Sequence, residues 1–286
     1  MTLKPRIPKI VEVVSYDPLW PQLFQEEAAL IQDVLQDTSL ELHHIGSTSV
    51  PGLTAKPIID IIATIKNPKK TITLLKAHSY TYHGAYNLPF RYFFRKYGSS
   101  VQFHLHIYPE HYRSEVELNL AFRDYLRTHP EAAAAYADLK HTLLTEPPSL
   151  KNRSLFADYT IGKDSFIRDI LNKTGFNGTR ITCCTHEYEW QATEKFRTMY
   201  QLSLDDFIET YASPEHLHVA LYQRVIIIGY MHVELLFEEK IMFHIHTFAL
   251  EEAHENLREQ FLKLCMIWLK QKGYSQALLK IRPSLK

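Results

Sequence analysis

The spacing of apolar residues predicts alternating helices and strands in the first half of the chain. Apolar residues recur at helical spacing over 19–35, and the preceding Asp17-Pro18 is a typical helix start. Short apolar runs rich in β-branched residues at 40–45 and 57–65 predict strands. Further strands are expected at 91–95 and 101–108, and further helices at 115–126, 130–144 and 164–171.

A segment without periodicity, 174–182, contains two glycines and predicts a linker between domains at 1–173 and 183–286. The second domain is expected to hold a helix at 204–211, strands at 217–221, 225–236, 241–248 and 277–281, and one long amphipathic helix at 251–272 that ends before Gly273. The predicted fold class is α/β, with a mixed sheet and helices in the first domain and a second, smaller α/β domain.

Composition narrows the functional classes. Of the 286 residues, 45% are hydrophobic and 22% are charged, as in ordinary folded proteins. Lys and Arg number 32 and so do Asp and Glu, so the net charge predicts neither general nucleic-acid binding nor membrane binding. No apolar stretch is long enough to cross a bilayer, residues 1–10 lack a signal-peptide core, and three cysteines form no Cys-x-x-Cys pair. We therefore expect a cytoplasmic location.

A Gly-Ser turn lies between the first two predicted strands. Small residues let backbone amides approach an oxyanion, hydroxyls add donors and a lysine adds a point charge, so this turn could bind phosphate. The alternative is a purely structural tight turn. The residues expected to bind phosphate are Gly46, Ser47, Thr48, Ser49 and Lys56.

Asp60 lies in an otherwise apolar strand. A carboxylate there is costly unless it is paired, bonded to the backbone or bound to a metal. Two hypotheses follow: Asp60 is either a functional acid or a structural acceptor of backbone hydrogen bonds.

These motifs together resemble the GrpB family. The resemblance covers about 10–171 and is carried by 44–60, 91–96, 103–108, 122–130 and 158–167. It implies a nucleotidyltransferase-like α/β fold, in which a Gly-Ser turn precedes a strand bearing metal-binding acids. It therefore implies metal-assisted nucleotidyl or phosphoryl transfer on a nucleotide.

One position departs from the superfamily pattern. Gly46-Ser47 and Asp60 have the expected spacing, but Ile62 occupies the position of the second acid. Two-metal catalysis normally needs carboxylates that bridge the ions. The alternative is a module that binds a nucleotide or phosphorylated metabolite without turnover, or a scaffold.

Two histidines offer further metal ligands. His104 and His106 are two residues apart in a predicted strand and so share a face. With Asp60 they could hold one divalent ion, Mg, Mn or Zn, in which case Asp60 and His104 would be catalytic. Otherwise they are ordinary polar residues of a half-exposed sheet.

Basic residues near the next strand could neutralise phosphate. Arg91, Arg95 and Lys96 are the candidates, with Arg91 and Arg95 expected on one face. Arg123 and Arg127, four residues apart, are better explained as a salt-bridged helix face.

The second half weakly resembles the GNAT acetyltransferases over about 183–281. In those enzymes, a glycine-rich turn at the start of the long helix holds the pyrophosphate of acetyl-CoA. Here the start of the helix carries Glu251, Glu252 and Glu255 and no glycine. We therefore do not expect acetyl transfer, and we expect a degenerate module for docking or dimerisation. The paired histidines 216/218 and 244/246 have no acid partner fixed by the sequence.

Overall fold

The computed structural model describes residues 12–145, 159, 162–185, 187–198, 213–237 and 241–276. The chain divides into two compact units: Met1–Gly84 with Tyr92–Phe176, and Ala85–Arg91 with Asn177–Lys286. The short segment Ala85–Arg91 thus belongs to the second unit although it lies within the first half of the sequence. The domain boundaries expected from the sequence stay a prediction, and part of the expected linker forms a strand, Thr179–Cys183.

Most elements of the first unit lie close to their expected positions, whereas the helix Thr71–Lys76 and the strand Thr81–Tyr82 have no counterpart in the sequence prediction. The helices are α1 Trp20–Leu35, α2 Thr71–Lys76, α3 Ser114–Thr128, α4 Pro130–Thr145 and α5 Asp164–Lys173. The strands are β1 Glu41–Ile45, β2 Ile58–Ile65, β3 Thr81–Tyr82, β4 Tyr92–Tyr97 and β5 Gln102–Pro109. Helix α1 has a proline in its first turn and ends where Gln36 adopts a left-handed conformation with φ 45°.

The first sheet has the strand order β1-β2-β5-β4-β3. Strands β2 and β5 are parallel, with Asp60 opposite His104 and Ile62 opposite His106. The other neighbours are antiparallel, and Arg95 of β4 also lies opposite His104. Because side chains alternate along a strand, Asp60, His104, His106 and Arg95 share one face of the sheet.

The opposite face forms the core of the first unit. Ile59, Ile61 and Leu105 of the two central strands pack with Trp20 and Ile31 of α1, and all five are almost fully buried. Each such side chain contributes about 1.5–3 kcal/mol on burial. The core therefore fixes the register of β2 and β5, and with it the positions of the polar residues on the other face.

The second unit contains a second sheet. Its helices are α6 Glu187–Thr198 and α7 Arg258–Gln271, and its strands are β6 Thr179–Cys183, β7 His216–Gln223, β8 Ile226–Phe237, β9 Ile241–Leu250 and β10 Ser275–Gln276. The strand order is β10-β9-β8-β7-β6, with β9 and β10 parallel and the other pairs antiparallel.

The long helix of the second unit differs from its prediction. It begins at Arg258, because Glu252–Leu257 form a 3₁₀ segment. The expected helix at 204–211 and strand at 277–281 lie outside the described residues. The α/β fold class, with two mixed sheets and helices, is confirmed. Within the described residues no helix has the length and apolar character needed to cross a membrane.

Candidate functional site

Gly46 brings the backbone of the Gly-Ser turn against the carboxylate of Asp60. It follows β1 with φ +69°, a conformation that favours glycine. A Cβ atom at this position would lie 2.5 Å from Oδ2 of Asp60. The glycine thus serves both the turn and the close approach of turn and carboxylate.

Two imidazoles face the same carboxylate. His104 Nδ1 lies 3.4 Å and His106 Nε2 3.8 Å from Oδ1 of Asp60. Burial raises the pKa of Asp60, but the bonds and charges of His104 and His106 outweigh it and hold that pKa well below its usual range. Asp60 is therefore ionised at neutral pH, and its side chain is still about 30% exposed to solvent.

The trio does not form a closed metal site. Within the described parts of the chain, one group of three metal-ligating side chains has donor atoms that all lie within 4.8 Å of one another, and that group is in the second unit. Asp60, His104 and His106 do not meet this distance condition. Ile62, at the second acid position, is buried and apolar. A single ion bound by all three side chains would need them to move, so the divalent ion stays a prediction.

Three lysines form a cluster beside the Gly-Ser turn. The ammonium groups of Lys56 and Lys163 lie 4.3 Å and 4.4 Å from the centre of the same ring, that of Tyr159. The Lys140 ammonium is fully buried, lies 4.8 Å from the Tyr136 ring and donates to the Thr54 carbonyl oxygen. Several cationic groups are thus held together on aromatic faces.

The lysine charges are unfavourable in the free protein. Burial, followed by repulsion from Lys163, lowers the pKa of Lys56 to about 8 and that of Lys140 to about 7. Burial also lowers the pKa of Lys163, and Asp60 opposes the shifts at Lys56 and Lys163. One carboxylate does not compensate three ammonium groups, so a bound anion would stabilise them.

The hydroxyls of the turn have different uses. Ser47 Oγ accepts a hydrogen bond from Lys140 Nζ at 3.3 Å and so belongs to the lysine cluster. Thr48 donates to the Ile58 carbonyl at 2.9 Å, and Ser49 donates to the Gly46 carbonyl at 2.6 Å. The structure thus places Ser47 at the site, whereas the hydroxyls expected to bind phosphate at Thr48 and Ser49 hold the turn itself.

His44 and two arginines also hold the turn. His44 stacks on Phe24, and its Nε2 lies 3.0 Å from the hydroxyl of Thr48, which already donates elsewhere, so His44 is the donor. Burial lowers the pKa of His44 to about 4, so it is neutral at pH 7. Arg123 donates to the His44 carbonyl and Arg127 twice to that of Ser49. These arginines do more than form the expected salt-bridged helix face.

The remaining basic candidates lie in three different places. Arg95 stacks on Phe93 beside the histidines, and its buried Nε has no hydrogen-bond partner among the described residues. Lys96 is on the opposite face, where its ammonium contacts both carboxylate oxygens of the buried Glu27. Arg91 belongs to the second unit and donates to the Ala85 carbonyl. Of the three, the structure places Arg95 on the face of Asp60.

Sequence reasoning missed Lys140 and Lys163. A signal for Lys140 was present, because it follows Tyr136 by one helical turn on the apolar side of α4. A lysine on a buried helix stripe is unusual and points to a partner or a ligand. Lys163 follows Tyr159 by four residues, so its contact with that ring is local, but only the fold brings the distant Lys56 to the same ring.

The second unit has a low structural similarity to acetyltransferases. An aminoglycoside acetyltransferase from an uncultured soil metagenomic sample is 9% identical, with 38% of this chain and 79% of that chain covered at a TM-score of 0.32.

The first unit has clear relatives. The UPF0157 protein YqkA of Bacillus subtilis is 36% identical over 161 residues, which are 55% of this chain and 45% of the relative, so less than half of that protein is matched. The crystal structure of the conserved protein GrpB from Enterococcus faecalis is 36% identical and covers 57% of this chain and 96% of that one, at a TM-score of 0.50. The family described as GrpB protein matches residues 10–173, more than half of the sequence, and the chain therefore belongs to the GrpB family.

Proposed function

We propose that the first unit binds a phosphorylated ligand, a nucleotide or a phosphorylated metabolite, at the face of Asp60. The observation that carries the proposal is the cluster of Lys56, Lys140 and Lys163, in which Lys163 repels the other two lysines and Asp60 attracts Lys56 and Lys163. Its charges are desolvated and repel one another, so a dianionic phosphate would restore their balance. The neighbouring Arg95, whose Nε lacks a partner among the described residues, adds a guanidinium to the same face.

The proposal needs no metal ion. Phosphate binds to the ammonium groups and to the open side of the Gly-Ser turn, where Ser47 already contacts Lys140. Asp60 would then limit affinity, because its carboxylate repels the ligand while it attracts the lysines. This predicts opposite effects of one substitution under metal-free and metal-dependent binding.

Calorimetry on Asp60→Asn separates these mechanisms. With pyrophosphate or ATP in EDTA, we expect the variant to bind more tightly than the wild type, since a repelling charge is removed. If binding depends on a divalent ion at Asp60, the variant should instead weaken binding measured with Mg²⁺, Mn²⁺ or Zn²⁺. Absence of heat for the wild type at millimolar ligand, with and without metal, would refute both.

Lysine variants test the cluster itself. Lys56→Met and Lys163→Met should each weaken metal-free binding at least about tenfold, the scale of one charge-assisted hydrogen bond. The exposed Lys76 on α2 provides a matched control, and Lys76→Met should leave affinity unchanged. Equal affinities for all three variants would contradict the proposed site.

Transfer of a nucleotidyl or phosphoryl group from the bound ligand is a second candidate. The observation that favours it is the pair of imidazoles at 3.4 Å and 3.8 Å from one carboxylate oxygen, a set of groups able to move a proton. Phosphorus NMR of the protein with nucleoside triphosphates, a divalent ion and water as the acceptor would show nucleoside monophosphate and pyrophosphate for nucleotidyl transfer, or nucleoside diphosphate and phosphate for phosphoryl transfer. We expect His104→Gln to abolish such a product; binding without any product would leave the binding function alone.

A further inference from the structure

The second sheet gathers histidines from three neighbouring strands. Antiparallel pairing sets His244 of β9 and His216 of β7 opposite Glu234 of β8, and His218 opposite His232. Five imidazoles and one carboxylate therefore lie on adjacent strands of one sheet. The members are His216, His218, His232, His244, His246 and Glu234.

We propose that Glu234, His244 and His246 bind a divalent transition-metal ion. His246 Nε2 lies 2.7 Å and His244 Nδ1 4.0 Å from the same oxygen, Oε2 of Glu234. One ligand atom from each of the three lies within 4.8 Å of the other two. Small rotations of these side chains would bring all three donor atoms to the roughly 2.0–2.2 Å bonds of a zinc site.

The chemistry of the donors selects the class of metal. Two imidazoles and one carboxylate suit zinc, iron, cobalt, nickel or copper, whereas magnesium and calcium prefer oxygen ligands alone. Three protein ligands also leave positions for water or a substrate. The site is thus expected to take a transition metal and to keep an open coordination position.

The ligands can be reached from solvent. The side chains of His246, Glu234 and His244 are 38%, 33% and 23% exposed, so an ion can enter without unfolding of the sheet. The ring of His232 stacks on that of His246 at 5.1 Å, and Nε2 of His232 lies 3.0 Å from Nδ1 of His216. This packing supports the His246 ring and restricts it to small rotations.

Titration of the full chain with Co²⁺ and Zn²⁺ tests the site. To remove the two imidazoles beside Asp60, all measurements use the His104→Gln, His106→Gln background. After treatment with a chelator, this protein should bind one equivalent of Co²⁺ with visible d–d absorption, and Zn²⁺ should displace it. Failure to take up either ion at millimolar concentration would overturn the proposal.

Substitution of the ligands provides the second arm. Glu234→Gln and His246→Gln preserve shape and should each weaken Co²⁺ binding by at least roughly tenfold. His78→Gln is the control, since the exposed His78 ring lies in the first unit, where its Nδ1 is 2.9 Å from the Leu74 carbonyl oxygen. Folded variants, as judged by circular dichroism, that bind Co²⁺ as tightly as the control would refute the assignment.

A spectroscopic measurement on the protein with all three ligands intact does not depend on whether the ligand variants fold. With one equivalent of Cu²⁺ added to the same background protein, electron paramagnetic resonance should show superhyperfine coupling to two imidazole nitrogens. A spectrum without nitrogen coupling would overturn the proposal even if every ligand variant failed to fold.

Discussion

Replacement of Lys140 by methionine should stabilise the free protein while it weakens phosphate binding. Lys140 is fully buried, and burial lowers its pKa from 10.5 to about 7. Methionine fills a similar volume without a charge. The substitution thus separates the contribution of Lys140 to ligand binding from its contribution to the stability of the fold.

The magnitude follows from the pKa shift and the lost contacts. At pH 7, the lowered pKa of Lys140 corresponds to a destabilisation on the order of 4 kcal/mol relative to a solvated lysine. Methionine removes this cost but leaves the Thr54 carbonyl and Ser47 hydroxyl without their donor, which costs roughly 1–3 kcal/mol. We expect a net gain of roughly 1–3 kcal/mol in the free energy of unfolding.

The pH dependence gives a sharper criterion. Between pH 7 and 10.5 the unfolded chain holds a proton on Lys140 that the folded chain releases, because its folded pKa is about 7. Wild-type stability should therefore rise with pH in this window by up to about 1.4 kcal/mol per unit from this group alone. The variant lacks that contribution, so its advantage should shrink as the pH rises.

Urea unfolding followed by fluorescence of Trp20 would measure the first unit. Trp190→Phe and Trp268→Phe in both proteins remove the signals of the second unit. Lys76→Met, at an exposed position, is the control and should change neither stability nor its pH slope. A Lys140→Met protein that is less stable at pH 7, or that keeps the wild-type pH slope, would refute the reasoning.

Two further predictions concern glycine and the second unit. Gly46→Ala and Gly52→Ala both place a Cβ at positive φ, but only the Cβ at position 46 meets Asp60 Oδ2, at 2.5 Å. Gly52→Ala should therefore lower the free energy of unfolding by about 1–2 kcal/mol, and Gly46→Ala should lower it more and abolish phosphate binding in calorimetry. Equal stabilities of the two variants would contradict this prediction. Equilibrium dialysis of the full chain with acetyl-CoA should show no saturable binding, because Glu251 and Glu255 place negative charge before α7 and pair with Lys195 and Arg258. Stoichiometric binding would contradict this.

The sequence by itself predicted most elements of the first unit and part of its candidate site. The alternation of His104 and His106 with apolar neighbours predicted their common face, and the apolar run around Asp60 predicted that it lies in a strand. Both follow from local periodicity. The small residues between the first two strands predicted the Gly-Ser turn, whose close contact with Asp60 the structure shows at Gly46.

Only the tertiary structure decided which charges meet. Lys56 and Lys163 lie far apart in sequence and share Tyr159, whereas Lys96, next to Arg95, turns to Glu27 because neighbouring strand residues face opposite sides. In the second unit, the pairing of β8 with β9 supplies Glu234 as the acid partner that His244 and His246 lacked in the sequence. Strand register depends on long-range hydrogen bonds and core packing, which local spacing does not encode.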